Sequence, residues 1–127
     1  VIDVDGIEHN LAALRAEIDR AAGGDGSGVT IVAVTKGFGS ELVARAQAAG
    51  LADLGESYAQ ELLAKVDAVV VPPRWHFIGN LQRNKVKALS PHVHLWHSVD
   101  RRKLGAEIAK HAPGAPVLAQ LNLSGEA

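Results

Sequence analysis

The sequence predicts an α/β fold built from parallel βα units. Short β-branched apolar runs alternate with helical periodicities, the alternation yields five strands, and each unit spans about 20 to 25 residues. Units of that size suit a (β/α) TIM-type barrel, whose units run to roughly 30 residues. A doubly wound open sheet competes with it, and periodicity alone does not separate the two. A closed barrel needs eight strands and about 250 residues, so 127 residues with five strands describe the first five βα units. The chain opens on Val1, contains no Met and stops at Ala127 after the polar run Asn122–Glu126. It reads as the N-terminal portion, residues 1–127, of one longer barrel domain.

Residues 5–22 predict an amphipathic helix, because Ile7, Leu11, Leu14 and Ile18 form one stripe while Arg15, Glu17, Asp19 and Arg20 face water. Asp5 and Glu8 have the spacing of a capping box. Four glycines between Gly23 and Gly28 then predict a flexible connector. Val29 to Thr35 is β-branched and nearly all apolar, as in a strand buried on both faces. Ser40 or Glu41 through Ala49 predicts a helix with Gly50 as its C′ residue. Leu51 to Gly55 is a strand and Tyr58 to Val66 a helix; Pro72–Pro73 separates them from a strand at Trp75 to Gly79. A helix at Leu81 to Leu89 stops at Ser90–Pro91, because a residue before proline disfavours the helical region. A strand at His94 to Val99, a helix at Arg101 to His111 and a strand at Pro116 to Leu123 complete the pattern.

Composition narrows the chemistry. A 47% apolar and 21% charged chain can build a core, and zero cysteines exclude disulfides, thiolate metal sites and cysteine nucleophiles. No apolar run approaches the roughly 18 residues that span a bilayer, so a soluble, cytoplasmic setting without membrane contact is expected. Residues 1–73 carry five basic and eleven acidic side chains, and residues 74–110 eight basic and two acidic. Spread over helix faces, these blocks are expected to pair across the fold, and no nucleic-acid partner is expected.

In parallel α/β folds, functional groups collect where strands end and loops enter the next helix. Those ends carry Thr35–Lys36–Gly37–Phe38–Gly39, Gly55–Glu56–Ser57–Tyr58, His76–Phe77–Ile78–Gly79–Asn80, His97–Ser98–Val99–Asp100 and Gln120–Ser124. Lys36 closes the first apolar strand. A lysine partly desolvated there would hold more free amine, the nucleophile that condenses with an aldehyde. A lysine reaching to solvent is the alternative. Leu42 stands where a G-x-G-x-x-G fingerprint needs its third glycine, and no Walker-type run occurs. His92 and His94 share one face by period two and His97 lies on the other, which disfavours a metal site. Ser98, His97 and Asp100 have the residue types of a hydrolase triad, but neighbours on a strand point apart. Asn122–Leu123–Ser124 fits a glycosylation sequon, which means little without a secretory signal.

Six runs then occur in order: Val32–Lys36, Gly55–Glu61, Trp75–Gly79, Leu81–Lys85, His97–Asp100 and Asn122–Glu126. Together they resemble the YggS/PROSC pyridoxal phosphate homeostasis proteins. The resemblance implies a barrel of the alanine racemase N-terminal-domain kind that holds pyridoxal 5′-phosphate (PLP) as a reversible Schiff base on Lys36. It implies a role in vitamin B6 and amino-acid homeostasis without established turnover, with amino acids or PLP-dependent apoenzymes as partners. Ser57, His76, Gly79, Ser98 and Asn122 are the further candidate cofactor residues. Ser57 stands where the family usually has Asn, which shortens a side chain near the cofactor. The family's phosphate-binding glycines and serine, and the arginine at its pyridine nitrogen, fall beyond the fifth strand. Residues 1–127 alone are therefore expected to hold PLP weakly, and the open sheet to self-associate. A PLP-dependent racemase or lyase of the same fold is the alternative. A racemase would need a second domain and a partner base such as tyrosine, whereas Tyr58, the one tyrosine, is expected to pack at a helix start.

Overall fold

The computed structural model describes residues 4–125. In chain order they form α1 (Val4–Ala21), β1 (Ala33–Val34), α2 (Ser40–Ala48), β2 (Asp53–Glu56) and α3 (Ala59–Ala68). Then follow β3 (Arg74–Phe77), α4 (Arg83–Leu89), β4 (Val93–Val99), α5 (Arg102–His111) and β5 (Val117–Ala119). The five strands are all parallel and stand in the order β1-β2-β3-β4-β5. A doubly wound sheet reverses direction about its first strand, whereas each strand here is laid beside its predecessor. This is the strand order of a (β/α) barrel, and it resolves the choice that periodicity left open.

The core lies between one sheet face and the helices. Leu54, Trp75, Phe77 and Trp96 from the strands meet Val43, Leu62, Val86, Leu89, Leu104 and Ile108 from the helices, all buried. Register explains the sorting, because Leu54 pairs with Trp75 and Phe77 with Trp96, and paired side chains share a face. The pairing of β3 with β4 steps from Trp75↔Val93 to His76↔Leu95, leaving His94 as an extra residue. This bulge lets Val93 and Trp96, three positions apart, both face the helices.

Three expectations need correction. The first strand is paired only at Ala33–Val34, and Val29 and Val34 are 53% and 48% exposed instead of buried on both faces. It is an edge strand, so nothing packs beyond it among the described residues. The fifth strand is likewise shorter than expected, since β4 offers it partners only as far as Val99, and all three of its residues are exposed. The Gly23–Gly28 run is a bonded turn and no loose connector. The Gly24 and Gly26 N–H groups donate to the Asp19 carbonyl (2.7 Å) and the Asp19 carboxylate (2.8 Å). Gly23 and Gly24 take φ values of +78° and +118° that side chains disfavour.

Other boundaries shift by a residue or two, as helix and strand ends commonly do. Gly50 ends α2 as expected, with φ +89° and its N–H bonded to the Gln47 carbonyl at 2.9 Å. The expected capping box rests on the Asp5 side chain, whose placement falls outside what the structure describes. No helix among the described residues is long and apolar enough to cross a membrane. Arg74 with Asp53 is one pair joining the basic and acidic blocks across two strands.

Leu104 is fully buried, so Leu104→Ala should cost about 2–5 kcal/mol, whereas Val70→Ser, at a site 95% exposed, should stay within about 0.5 kcal/mol. Urea unfolding of the two variants checks the contrast.

Candidate functional site

Parallel strands bring the loops after β1, β2, β3, β4 and β5 to one end of the sheet. Lys36, Ser57, Gly79 and Asn122 all lie in those loops. Lys36 follows β1 within a turn, exposed, and its amine makes no hydrogen bond or ion pair among the described residues. The partly desolvated setting expected of it is therefore not observed. Among the described residues only β2 stands beside β1, and nothing covers the other side of the turn.

The loop beneath Lys36 is held by a buried ionic cluster. Glu56 ends β2 with its side chain on the helix face, fully buried, and pairs with Lys65 of α3, whose side chain is 5% exposed. The Lys65 ammonium also donates to the Thr35 carbonyl at 2.7 Å, and the Thr35 hydroxyl donates to the Glu56 carboxylate at 2.6 Å. Glu61, one turn before Lys65, lies 4.0 Å from its ammonium and accepts from the Gly37 N–H at 2.9 Å. The residues on both sides of Lys36 are thus tied to α3. Glu56 Oε2 is buried without a partner among the described residues.

A second network occupies the sheet face turned away from the helices. Arg74 grips the Asp53 carboxylate with two hydrogen bonds, 2.9 Å and 2.6 Å, and His76 Nε2 meets the same carboxylate at 2.9 Å. An ionised carboxylate only accepts, so His76 Nε2 carries a proton. In the neutral imidazole Nδ1 is then an acceptor, which His97 Nε2 reaches at 2.8 Å as donor. The Arg74 hydrogen bonds hold the Asp53 carboxyl down at about 2; burial opposes them and the His76 contact assists. Burial, then repulsion from the neighbouring His76 ring, pushes His97 below its ordinary value.

The remaining candidates divide. His76 is not at the strand-end surface but buried in this interior network. Ser98 Oγ donates to the Ile78 carbonyl at 3.0 Å, so it satisfies the neighbouring strand's backbone. Together with the His97–His76 and Asp100–Arg101 pairs, this leaves no Ser–His–Asp triad. Gly79 sits where a Cβ would be driven into the Ser57 carbonyl, so the β2 and β3 exits touch there. Asn122 Oδ1 accepts from the Gly125 N–H at 3.1 Å and caps a turn. Tyr58, expected to pack, is 60% exposed. The expected separation of His94 from His97 also fails. The bulge brings both rings against His76, at 5.6 Å and 5.1 Å between centroids. Even so, no group of three or more potential ligands among the described residues can hold a metal.

Two cavities bracket the sheet. The larger, about 400 Å³, lies at the amino ends of the strands between Arg15, Asp19, Ser27 and Arg74. The other, about 260 Å³, lies at the carboxyl ends, lined by Ser57, Tyr58, Asn80, Gln82 and Lys85. The smaller one shares its end with Lys36, and that end is where barrel chemistry is housed. Size alone would choose the amino end instead. Sequence reasoning quoted Glu56 and Glu61 but missed their partnership with Lys65. The signal was there: Lys65 falls three residues after Leu62 on the apolar stripe, where a lysine needs a buried partner.

Residues 2–125 match the family described as alanine racemase, N-terminal domain. The chain belongs to that family. Its curated relatives include the pyridoxal phosphate homeostasis protein of Pseudomonas aeruginosa, 41% identical over 95% of this chain and 56% of the relative. The protein of the same name from Escherichia coli K12 is 34% identical over 94% of this chain and 56% of the relative. Among solved structures, PipY of Synechococcus elongatus PCC7942 with PLP bound aligns with a TM-score of 0.80 and 28% identity, covering 95% of this chain and 57% of PipY. An unknown protein from Bifidobacterium adolescentis aligns with a TM-score of 0.84 and 28% identity, covering 99% and 60%. The chain spans about half the length of the curated relatives it matches.

The interior network predicts a two-stage loss of stability in acid. His97 resists protonation when folded, so unfolded chains take up more protons as pH falls through about 6.5, and stability declines. Asp53, depressed to about 2, contributes stability that is intact above about pH 4 and drains as pH falls toward 2. Urea unfolding across pH 7 to 2 should show both stages, His97→Gln removing the first and Asp53→Asn the second.

Proposed function

We propose that the chain is the N-terminal portion of a single PLP-binding barrel domain, acting in the cytoplasm in vitamin B6 and amino-acid homeostasis without turnover of its own. One observation carries this reading: Lys36 presents an accessible, unpaired amine at the carboxyl end of β1. Its chemistry fits the group, because a primary amine can condense reversibly with an aldehyde, and among the described residues no carboxylate pairs with Lys36 to block it. The names of the two curated relatives, and PLP in PipY, support the same reading.

PLP, when bound, supplies an aldehyde carbon and an electron-withdrawing ring. The chain's own residues bind and orient. Lys36 would hold the aldehyde end. Gly79, pressed against the Ser57 carbonyl, keeps the floor between β2 and β3 narrow. The cavity beside Ser57, Asn80 and Lys85 offers hydroxyl, amide and ammonium groups at the same end. Ser98 and His76 keep to their backbone and interior bonds and support the site from beneath. Asn122 would border the site from the far side of the sheet. Lys36 is exposed among the described residues, so a free amine or an apoenzyme lysine could approach a group held on it.

In the full polypeptide, added PLP should produce a visible absorbance band that Lys36→Ala abolishes. An unchanged spectrum in that variant would overturn the assignment.

A further inference from the structure

We infer that Glu56, Lys65 and Glu61 are positioning residues for Lys36, forming a charged clamp that fixes the turn bearing its amine; this rests on the PLP reading above. The geometry favours such a role over a purely stabilising one. Glu56 and Lys65 are both withdrawn from water, and a buried ion pair recovers its desolvation cost only with good geometry and further hydrogen bonds. Apolar side chains of similar volume would hold α3 against β1 and β2 as well or better. What an apolar pair cannot do is bind backbone. Here the Lys65 ammonium takes the Thr35 carbonyl, and Glu61 takes the Gly37 N–H. The two groups bonded are those immediately before and after Lys36.

The need for a clamp follows from where the ladder stops. β1 pairs with β2 at Ala33 and Val34, and the last sheet bond runs from the Thr35 N–H to the Gly55 carbonyl at 3.0 Å. Beyond Thr35 the turn has left the sheet and depends on bonds from elsewhere. Gly37, at φ +80°, adds freedom where the turn reverses. An amine that must meet an aldehyde repeatedly at one spot gains from being held there, since misplacement by about 1 Å can cost on the order of 100-fold. The clamp reaches across from α3 to hold the turn on both sides of Lys36 once the sheet has ended.

The test uses the full polypeptide and two variants chosen to fold. In Glu56→Leu/Lys65→Met the buried pair becomes apolar; in Glu61→Ala only the partly exposed carboxylate on Gly37 is lost. With melting curves close to wild type, both should bind PLP about 10-fold more weakly, the loss of one well-placed hydrogen bond. The pH midpoint of the bound-cofactor band should move as well. Without PLP, Gly37 amide exchange should accelerate about 10-fold in Glu61→Ala. Wild-type PLP affinity, an unmoved band midpoint and unchanged Gly37 exchange would overturn the clamp. Lys36→Ala separates the two readings. A band surviving that change removes the PLP reading and the clamp's purpose, whereas Gly37 exchange reports on the clamp whether or not PLP binds.

Discussion

Two parallel neighbours cannot be joined by a hairpin; the chain must cross back to the starting end before it adds a strand. With one hand of crossover favoured and each strand laid beside the last, the helices fall on one face and the strand exits at one end. The gathering of the candidate site residues follows from that constraint. Lys36, Ser57, Gly79 and Asn122 are scattered over nearly 90 positions, and only the repeated crossover brings their loops to a common end.

β2 shows how the same constraint sorts charge. Within four residues it places Asp53 on the face away from the helices and Glu56 toward them, both buried. Each carboxylate then requires a cation from a different source. Asp53 receives Arg74 from the start of the neighbouring strand, with the guanidinium half in water. Glu56 receives Lys65 from the following helix, almost wholly sealed. The first arrangement is anchored to solvent and extends inward through two histidines, while the second faces the turn that carries Lys36.

The fold was legible because its evidence is local. Helical stripes, β-branched runs, Gly50 after α2 and the Ser90–Pro91 stop each act within a few residues. Strand order and the limits of β1 and β5 were not legible, since both depend on which neighbour is present to pair. Lys36 could be found from its place at a strand end, but its exposure depends on what stands around the turn, which the sequence does not display. The His76–His97 contact was hidden by the bulge at His94, because strict alternation misassigns every residue past an inserted one. Lys65 was the one missed residue with a readable sign, a cation among leucines and valines.

The bulge also says where the chain tolerates a change of length. Excising His94 would return β4 to plain alternation with Val93 and Trp96 still among the helices and His97 still beside His76. Excising His76 from β3 would instead throw Trp75 and Phe77 onto opposite faces and turn an indole or a phenyl ring out of the hydrophobic layer. One strand carries a spare link and its neighbour has none. Natural variation in length among related chains should gather at the spare link.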